Sequence, residues 1–312
     1  MRLIRDNVID FAEYLQQTPK HAGNVRRPSD YAGEVQELFR HGHGNQGARL
    51  PWRKLDRFRI RPAELTVWAG PNGHRKSLAV GQAMLGLMAQ GETVLIASFE
   101  MPPAVTLHRL VRQALGAWPP AEHRVQDITA WLDERLWVLD HLGTMGVDDV
   151  VGLGHYAARE LDVQHLVIDS LTMLRIPAAG DSALNDQKRT VEQLVSLARD
   201  SGLHVHLVCH ARKGRSEAEP IGKWDVRGAG EITDLAHNVV LVQRTCDYDR
   251  ARPDDLPDQF LTVAKQRNGA WEGRVGLWWD GRSLQLMDDQ GQSPVPYDHI
   301  RRYLAEGETP WP

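Results

Sequence analysis

The sequence predicts an α/β fold: a mostly parallel central sheet covered by helices on both faces, preceded by a helical N-terminal segment and closed by a β-hairpin. Three observations predict it. Short, continuous apolar runs recur from Glu64 onward, amphipathic stretches lie between several of them, and a near-match to a phosphate-binding loop joins the first run to the first long helix. Strands that are apolar throughout, rather than alternating, belong to sheets buried on both sides.

Residues 1 to 50 are polar, with helical patterning in "NVIDFAEYLQQ" and again in "SDYAGEVQELFR", where Ser29 or Asp30 is the candidate cap. The glycine-rich "HGHGNQGARLPW", with His41 and His43, reads as a linker. The strand candidates are "LTVWA" at 65, "TVLIASF" at 93, "LWVLD" at 136, "HLVIDS" at 165, "LHVHLVC" at 203, "VVLVQ" at 239 and "FLTVAK" at 260. "SLAVGQAMLGLMAQ" and "QKRTVEQLVSLARD" are the clearest helices between them. "GRVGLWWDGRSLQLMD" reads as a terminal hairpin turning at Asp280 and Gly281. The expected division is a helical segment over 1–50, one large α/β domain over 51–288 and a tail over 289–312.

A formal charge of −4 gives no global basic footprint, so any nucleic-acid contact must come from local clusters. The two cysteines, Cys209 and Cys246, form no CxxC pair, which fits a reducing compartment and argues against a disulfide or zinc framework. No apolar run approaches the roughly 18 residues of a membrane span, and the N-terminus lacks the apolar core of a signal peptide. The expectation is a soluble, cytoplasmic protein.

"GPNGHRKS", residues 70 to 77, departs from GxxxxGK[ST] at one place, where Arg75 stands for the glycine before the lysine. Backbone N–H groups of such a loop cradle phosphate oxygens, so Gly70, Asn72, Gly73, His74 and Arg75 are candidate nucleotide-binding residues. Lys76 would reach the β and γ phosphates and Ser77 would hold Mg²⁺. A left-handed conformation at Arg75 would cost roughly 1 to 2 kcal/mol, which a folded domain tolerates. The loop by itself leaves open a working pocket, a modified one, or a helix start with a chance Lys-Ser pair.

Three later strands end in polar groups. "VLIASFEMP" places Glu100 where ligands bind an open α/β sheet, positioned to orient an attacking water. "HLVIDS" ends in Asp169, a carboxylate of the kind that holds Mg²⁺ through water. "HLVCHARK" ends in His210, a neutral donor suited to sensing the γ phosphate. Strand alternation sets His204, His206 and His210 on one face with no fourth ligand in view, so no metal site is expected there.

"SFEMP", "VIDS", "CHARK", "DVRGAGEI" and "KQRNG", in that order across about 50 to 288, resemble the motifs of the replicative ring helicases. The histidine of "CHARK" is similar to the phage primase-helicase and mitochondrial Twinkle branch. The resemblance implies a RecA-like P-loop NTPase using ATP or dTTP with Mg²⁺. It also implies a homo-oligomeric ring, usually a hexamer, with single-stranded DNA through its centre. It assigns Glu100 as catalytic carboxylate, Asp169 as Mg²⁺-linked acid and His210 as γ-phosphate sensor. Lys265 and Arg267 would act on the neighbour's nucleotide, and Arg244 would stack on the base. DNA contacts would come from Arg212, Lys213, Lys223, Arg227 and Gly228, tracking the backbone without base readout.

The helix near 29 to 40 would pack on the neighbouring protomer, as a linker helix does. Any primase would be a separate chain, with a polymerase or single-strand-binding protein as further candidate partners and a bacterial host cytoplasm as the location if the protein is phage-encoded. A loader or clamp with weak hydrolysis, and a recombinase or signalling ATPase of related fold, stay open as alternatives.

Overall fold

A ten-stranded sheet runs through the protein. The computed structural model describes residues 2–4, 13–14, 27–41, 47–175, 183–211, 221–226, 229–245, 255–269 and 271–297. In chain order the described elements are β1 (Arg2–Ile4), α1 (Ala32–His41), β2 (Ala48–Arg49), β3 (Arg59–Ile60), β4 (Leu65–Gly70), α2 (Lys76–Ala89), β5 (Val94–Ser98), α3 (Pro103–Leu115) and α4 (Glu122–Asp133). There follow β6 (Leu136–Leu139), β7 (Met145–Gly146), α5 (Val147–Glu160), β8 (His165–Asp169), β9 (Leu174–Arg175), α6 (Ala183–Ser201) and β10 (His204–His210). The last elements are α7 (Ala229–Leu235), β11 (Asn238–Arg244), β12 (Gln259–Gln266), β13 (Gly273–Asp280) and β14 (Gln285–Met287).

The strand order is β1-β6-β5-β8-β10-β4-β11-β12-β13-β14, parallel from β1 to β11 and antiparallel beyond. Each face carries its own core. Trp68, Ile96, Val208 and Val240 pack with α2, α3 and α4 on one side. Leu65, Val67, Leu95 and Leu207 pack with α5, α6 and α7 on the other. This two-sided cover is why the parallel strands read as unbroken apolar runs, each fully buried Leu or Val contributing roughly 1.5–3 kcal/mol. By contrast β12 alternates buried with half-buried residues, as an antiparallel strand with one barer face does.

The structure departs from the sequence reading at both ends. Residues 2–4, expected in a helical segment, add a strand to the edge of β6, with Leu3 opposite Val138. Asp30 does not cap α1 directly; its carboxylate accepts the Arg27 N–H at 2.9 Å and closes a 3-10 turn over Pro28–Tyr31 that leads into the helix. The core also continues past 288, where the tail was expected to begin. Tyr297 is buried, and the Gln285 amide binds both the N–H and the carbonyl of Val295 at 3.0 and 2.8 Å.

The histidines of β10 divide between two places. His204 and His206 lie at its amino-terminal half, packed beside His165 of β8. Fixed donors set their protons: His204 Nδ1–H donates to the Arg61 carbonyl at 2.5 Å, and the Trp68 indole N–H donates to His206 Nδ1 at 3.2 Å. His210, at the other end of the strand, faces a different group of residues.

Candidate nucleotide site

Four neighbouring parallel strands, β5, β8, β10 and β4, end side by side, and their carboxyl ends form one wall of a cleft of about 570 Å³. The loop from β4 to α2 forms the other wall. Gly70 closes β4 where the chain passes β11: a Cβ there would stand 2.2 Å from the Val242 carbonyl oxygen, so no side chain fits. Gly73 and Arg75 both take left-handed conformations, with φ of +78° and +63°, which turn the chain into α2. Glycine adopts that region without steric cost, whereas Arg75 bears it.

The polar groups converge as the strand ends dictate. Lys76 is almost wholly buried and donates from Nζ to the Pro71 carbonyl at 2.8 Å. Burial lowers its affinity for a proton, while Asp169 and Glu100 pull in the opposite direction. Ser77, one residue on, hydrogen-bonds to the Asp169 carboxylate. Burial pushes the Asp169 carboxyl up from its ordinary range; the Ser77 hydroxyl and Lys76 oppose that shift. Glu100 sits just past β5, accepts the Ser170 hydroxyl at 2.8 Å and lies 3.8 Å from His210 Nε2. Burial, and then the charge of Lys76, hold the His210 imidazole below its ordinary value, so it is a neutral group at pH 7.

The remaining sequence candidates fall in three groups. Asn72, Gly73, Arg75, Lys76, Ser77, Glu100, Asp169 and His210 all line the cleft. His74 does not: its ring is buried, accepts the Arg244 N–H at 3.1 Å, and its carbonyl accepts the Gln259 amide at 3.3 Å. It braces the loop against the ends of β11 and β12, which also places Arg244 beside the loop but outside the lining.

Lys265 and Arg267 lie elsewhere altogether. Asn238, the first residue of β11, pairs with both Thr66 near the start of β4 and Gln266, so this pair stands at the amino-terminal end of the parallel sheet, opposite the cleft. There Lys265 Nζ donates to the carbonyls of Thr233 and Asp234, each at 2.8 Å, and Arg267 donates to that of Asp234 at 2.7 Å. Of the DNA candidates, Lys223 is exposed in a 3-10 turn over Lys223–Asp225. Arg212, Lys213, Arg227 and Gly228 lie outside the described residues.

Two lining residues escaped the sequence reading. Arg109 reaches the cleft from α3, and Leu284 from the turn between β13 and β14. Arg109 sits on the same helix stripe as buried Thr106, Leu110 and Gln113, and a cation on an inward-facing stripe close after Glu100 was the available signal. Nothing local to Leu284 announces it, because the hairpin reaches the cleft only through tertiary packing.

The donor set suits a phosphorylated ligand with a hard cation. A lysine and a run of loop N–H groups face phosphate, and a hydroxyl beside a carboxylate offers the oxygen ligands that Mg²⁺ takes. A family model described as AAA domain matches residues 43–216, more than half of the chain. Among solved structures, the chain is similar to an ATPase domain solved on its own, with a TM-score of 0.74 at 17% identity, covering 85% of this chain and 100% of that one. It is also similar to a DnaB-like replicative helicase studied with its primase, with a TM-score of 0.69 at 17% identity, covering 85% of this chain and 68% of that one. These likenesses hold at the level of fold, and they agree with the RecA-like core that the motifs imply. The chain belongs to the AAA domain family, built on the ATPase fold that these two structures share.

Proposed function

We propose that this protein hydrolyses nucleoside triphosphates to drive a homo-oligomeric ring along single-stranded DNA, as a replicative helicase. The observation that carries the reading is the separation just described. Lys76, Ser77, Glu100, Asp169 and His210 meet in one cleft, while Lys265 and Arg267 stand at the opposite end of the sheet, where only a neighbour's nucleotide could be within their reach.

In this reading the loop N–H groups and Lys76 bind the phosphates of ATP or dTTP. Ser77 and Asp169 would hold Mg²⁺, which when bound neutralises charge on the phosphate oxygens. Glu100 orients the attacking water and accepts its proton, held in place by the Ser170 hydroxyl. His210, kept neutral, donates to the γ phosphate and, being 3.8 Å from Glu100, links the phosphate's presence to the base. Arg109 adds a cation from α3 to the same cleft. Arg267, with Lys265, completes the neighbour's site, and an arginine in that role is worth roughly 10³–10⁵ in rate.

Helix α1 supports the ring. Phe39 is 86% exposed and Val35 43%, an apolar pair one turn apart that a single chain leaves uncovered and a neighbouring protomer would bury. Lys223, with Arg212, Lys213, Arg227 and Gly228, would follow the DNA backbone. The test is unwinding of a forked duplex by the purified protein with nucleotide and Mg²⁺; absence of both unwinding and single-strand-stimulated hydrolysis would reject the proposal.

A further inference from the structure

Among the described residues four non-glycine residues have positive φ, and two of them, Arg75 and Leu284, line the same cleft. Strain of this kind persists only where the surroundings over-determine it, and it gathers at ligand sites. At Arg75 the surroundings are visible. Its guanidinium carbon lies 4.4 Å from the centre of the Trp279 ring, a cation laid on an aromatic face.

That platform is itself held. Trp279, on β13, donates its backbone N–H to Asp258 Oδ2 at 2.8 Å. The turn that follows is tied to α3: Arg112 donates to the carbonyls of Gly281 and Arg282 at 2.7 and 2.6 Å, and Gln113 donates to that of Leu284 at 2.7 Å. The strained backbone of Arg75 and a fixed indole together set where the guanidinium lies. A guanidinium that stacks by its face keeps its N–H donors in the plane of the fork, the geometry that grips phosphate.

We propose that Arg75 is a phosphate ligand of this cleft, a guanidinium laid on Trp279 that presents a second cation, beside Lys76, to the phosphates of a bound nucleotide. The residue that breaks the phosphate-loop pattern is then a gain of binding bought with backbone strain. The proposal rests on the nucleotide-site reading, and the experiment separates the two.

Displacement of a fluorescent ATP analogue by inorganic tripolyphosphate is measured for the parent, Arg75→Gly, Arg75→Lys, Trp279→Leu and Lys76→Ala, alongside melting of each ligand-free protein. Arg75→Gly is expected to weaken tripolyphosphate competition by about 10- to 100-fold, the loss of one charge-assisted hydrogen bond. Its ligand-free melting temperature should hold or rise, since glycine accepts this backbone freely. Arg75→Lys should retain part of the competition, and Trp279→Leu should lose less than Arg75→Gly. If Arg75→Gly competes as well as the parent while Lys76→Ala loses binding, Arg75 is only a spacer and the proposal is overturned. If Lys76→Ala binds as the parent does, the nucleotide-site reading falls, and this proposal with it.

Discussion

Acid should destabilise this protein through histidines that have no part in the cleft. His204 is fully buried, and burial, followed by the neighbouring His165, pushes its imidazole from 6.5 down to about 3. His206 is lowered well below its ordinary value for the same first cause. Because the folded state binds these protons less readily than the unfolded chain, stability is complete above about pH 6.5 and is lost as pH falls through the window down to about 3. For His204 the shift corresponds to about 5 kcal/mol in full, of which about 2 kcal/mol is lost by pH 5.

The perturbation that isolates this is His204→Gln, which keeps a hydrogen-bonding side chain beside Thr66 and the Arg61 carbonyl but cannot take up a proton. Urea unfolding followed by circular dichroism at pH 8 and pH 5 gives the loss of stability for each protein. His155, His210 and His237 are lowered too and titrate in both proteins, so the difference between the two losses belongs to residue 204 and the histidines it touches. The parent should lose about 2 kcal/mol more than the variant between those two values. Equal losses would refute the reasoning, for they would mean that the buried seam accepts a proton without penalty.

Three further outcomes follow from the geometry. Gly70→Ala should cost about 1–3 kcal/mol in thermal unfolding and weaken nucleotide binding, because its Cβ would meet backbone at 2.2 Å and backbone cannot step aside. Glu100→Gln should retain nucleotide in an equilibrium binding assay while slowing hydrolysis by about 10²- to 10⁴-fold. Lys76→Ala and Arg267→Ala chains, each inactive alone, should regain part of the parent's hydrolysis when mixed, since a mixed ring pairs an intact cleft with an intact arginine; no recovery would place Arg267 outside the neighbour's site.

The periodic part of the fold was legible in the sequence because its physics is local. Every apolar run named from 65 to 260 lies on a strand of the sheet, and continuous burial on two faces leaves that signature whatever the strand order. The turn at Asp280–Gly281 was legible for the same reason. The cleft was legible in part: a phosphate loop is a contiguous stretch, and Glu100, Asp169 and His210 each end a strand, so a parallel sheet must bring them to one edge.

What the chain alone left undecided depends on residues far apart in sequence. Whether Arg75 spoils the loop turns on Trp279, some two hundred positions away, and on the ties between the hairpin and α3 that hold the indole in place. Arg109 and Leu284 join the cleft by the same long-range packing. His74 looked like a phosphate contact and proves to be a brace, because the ends of β11 and β12 pass beside it. The edge strand at residues 2–4 carries too few residues to announce itself, and only the open edge of β6 gives its backbone groups partners. Sequence determined which chemical groups this protein has and the local structure that carries them. Tertiary structure decided which of them meet, since a contact between distant residues is set by the register of the sheet and the packing on its faces rather than by any local pattern.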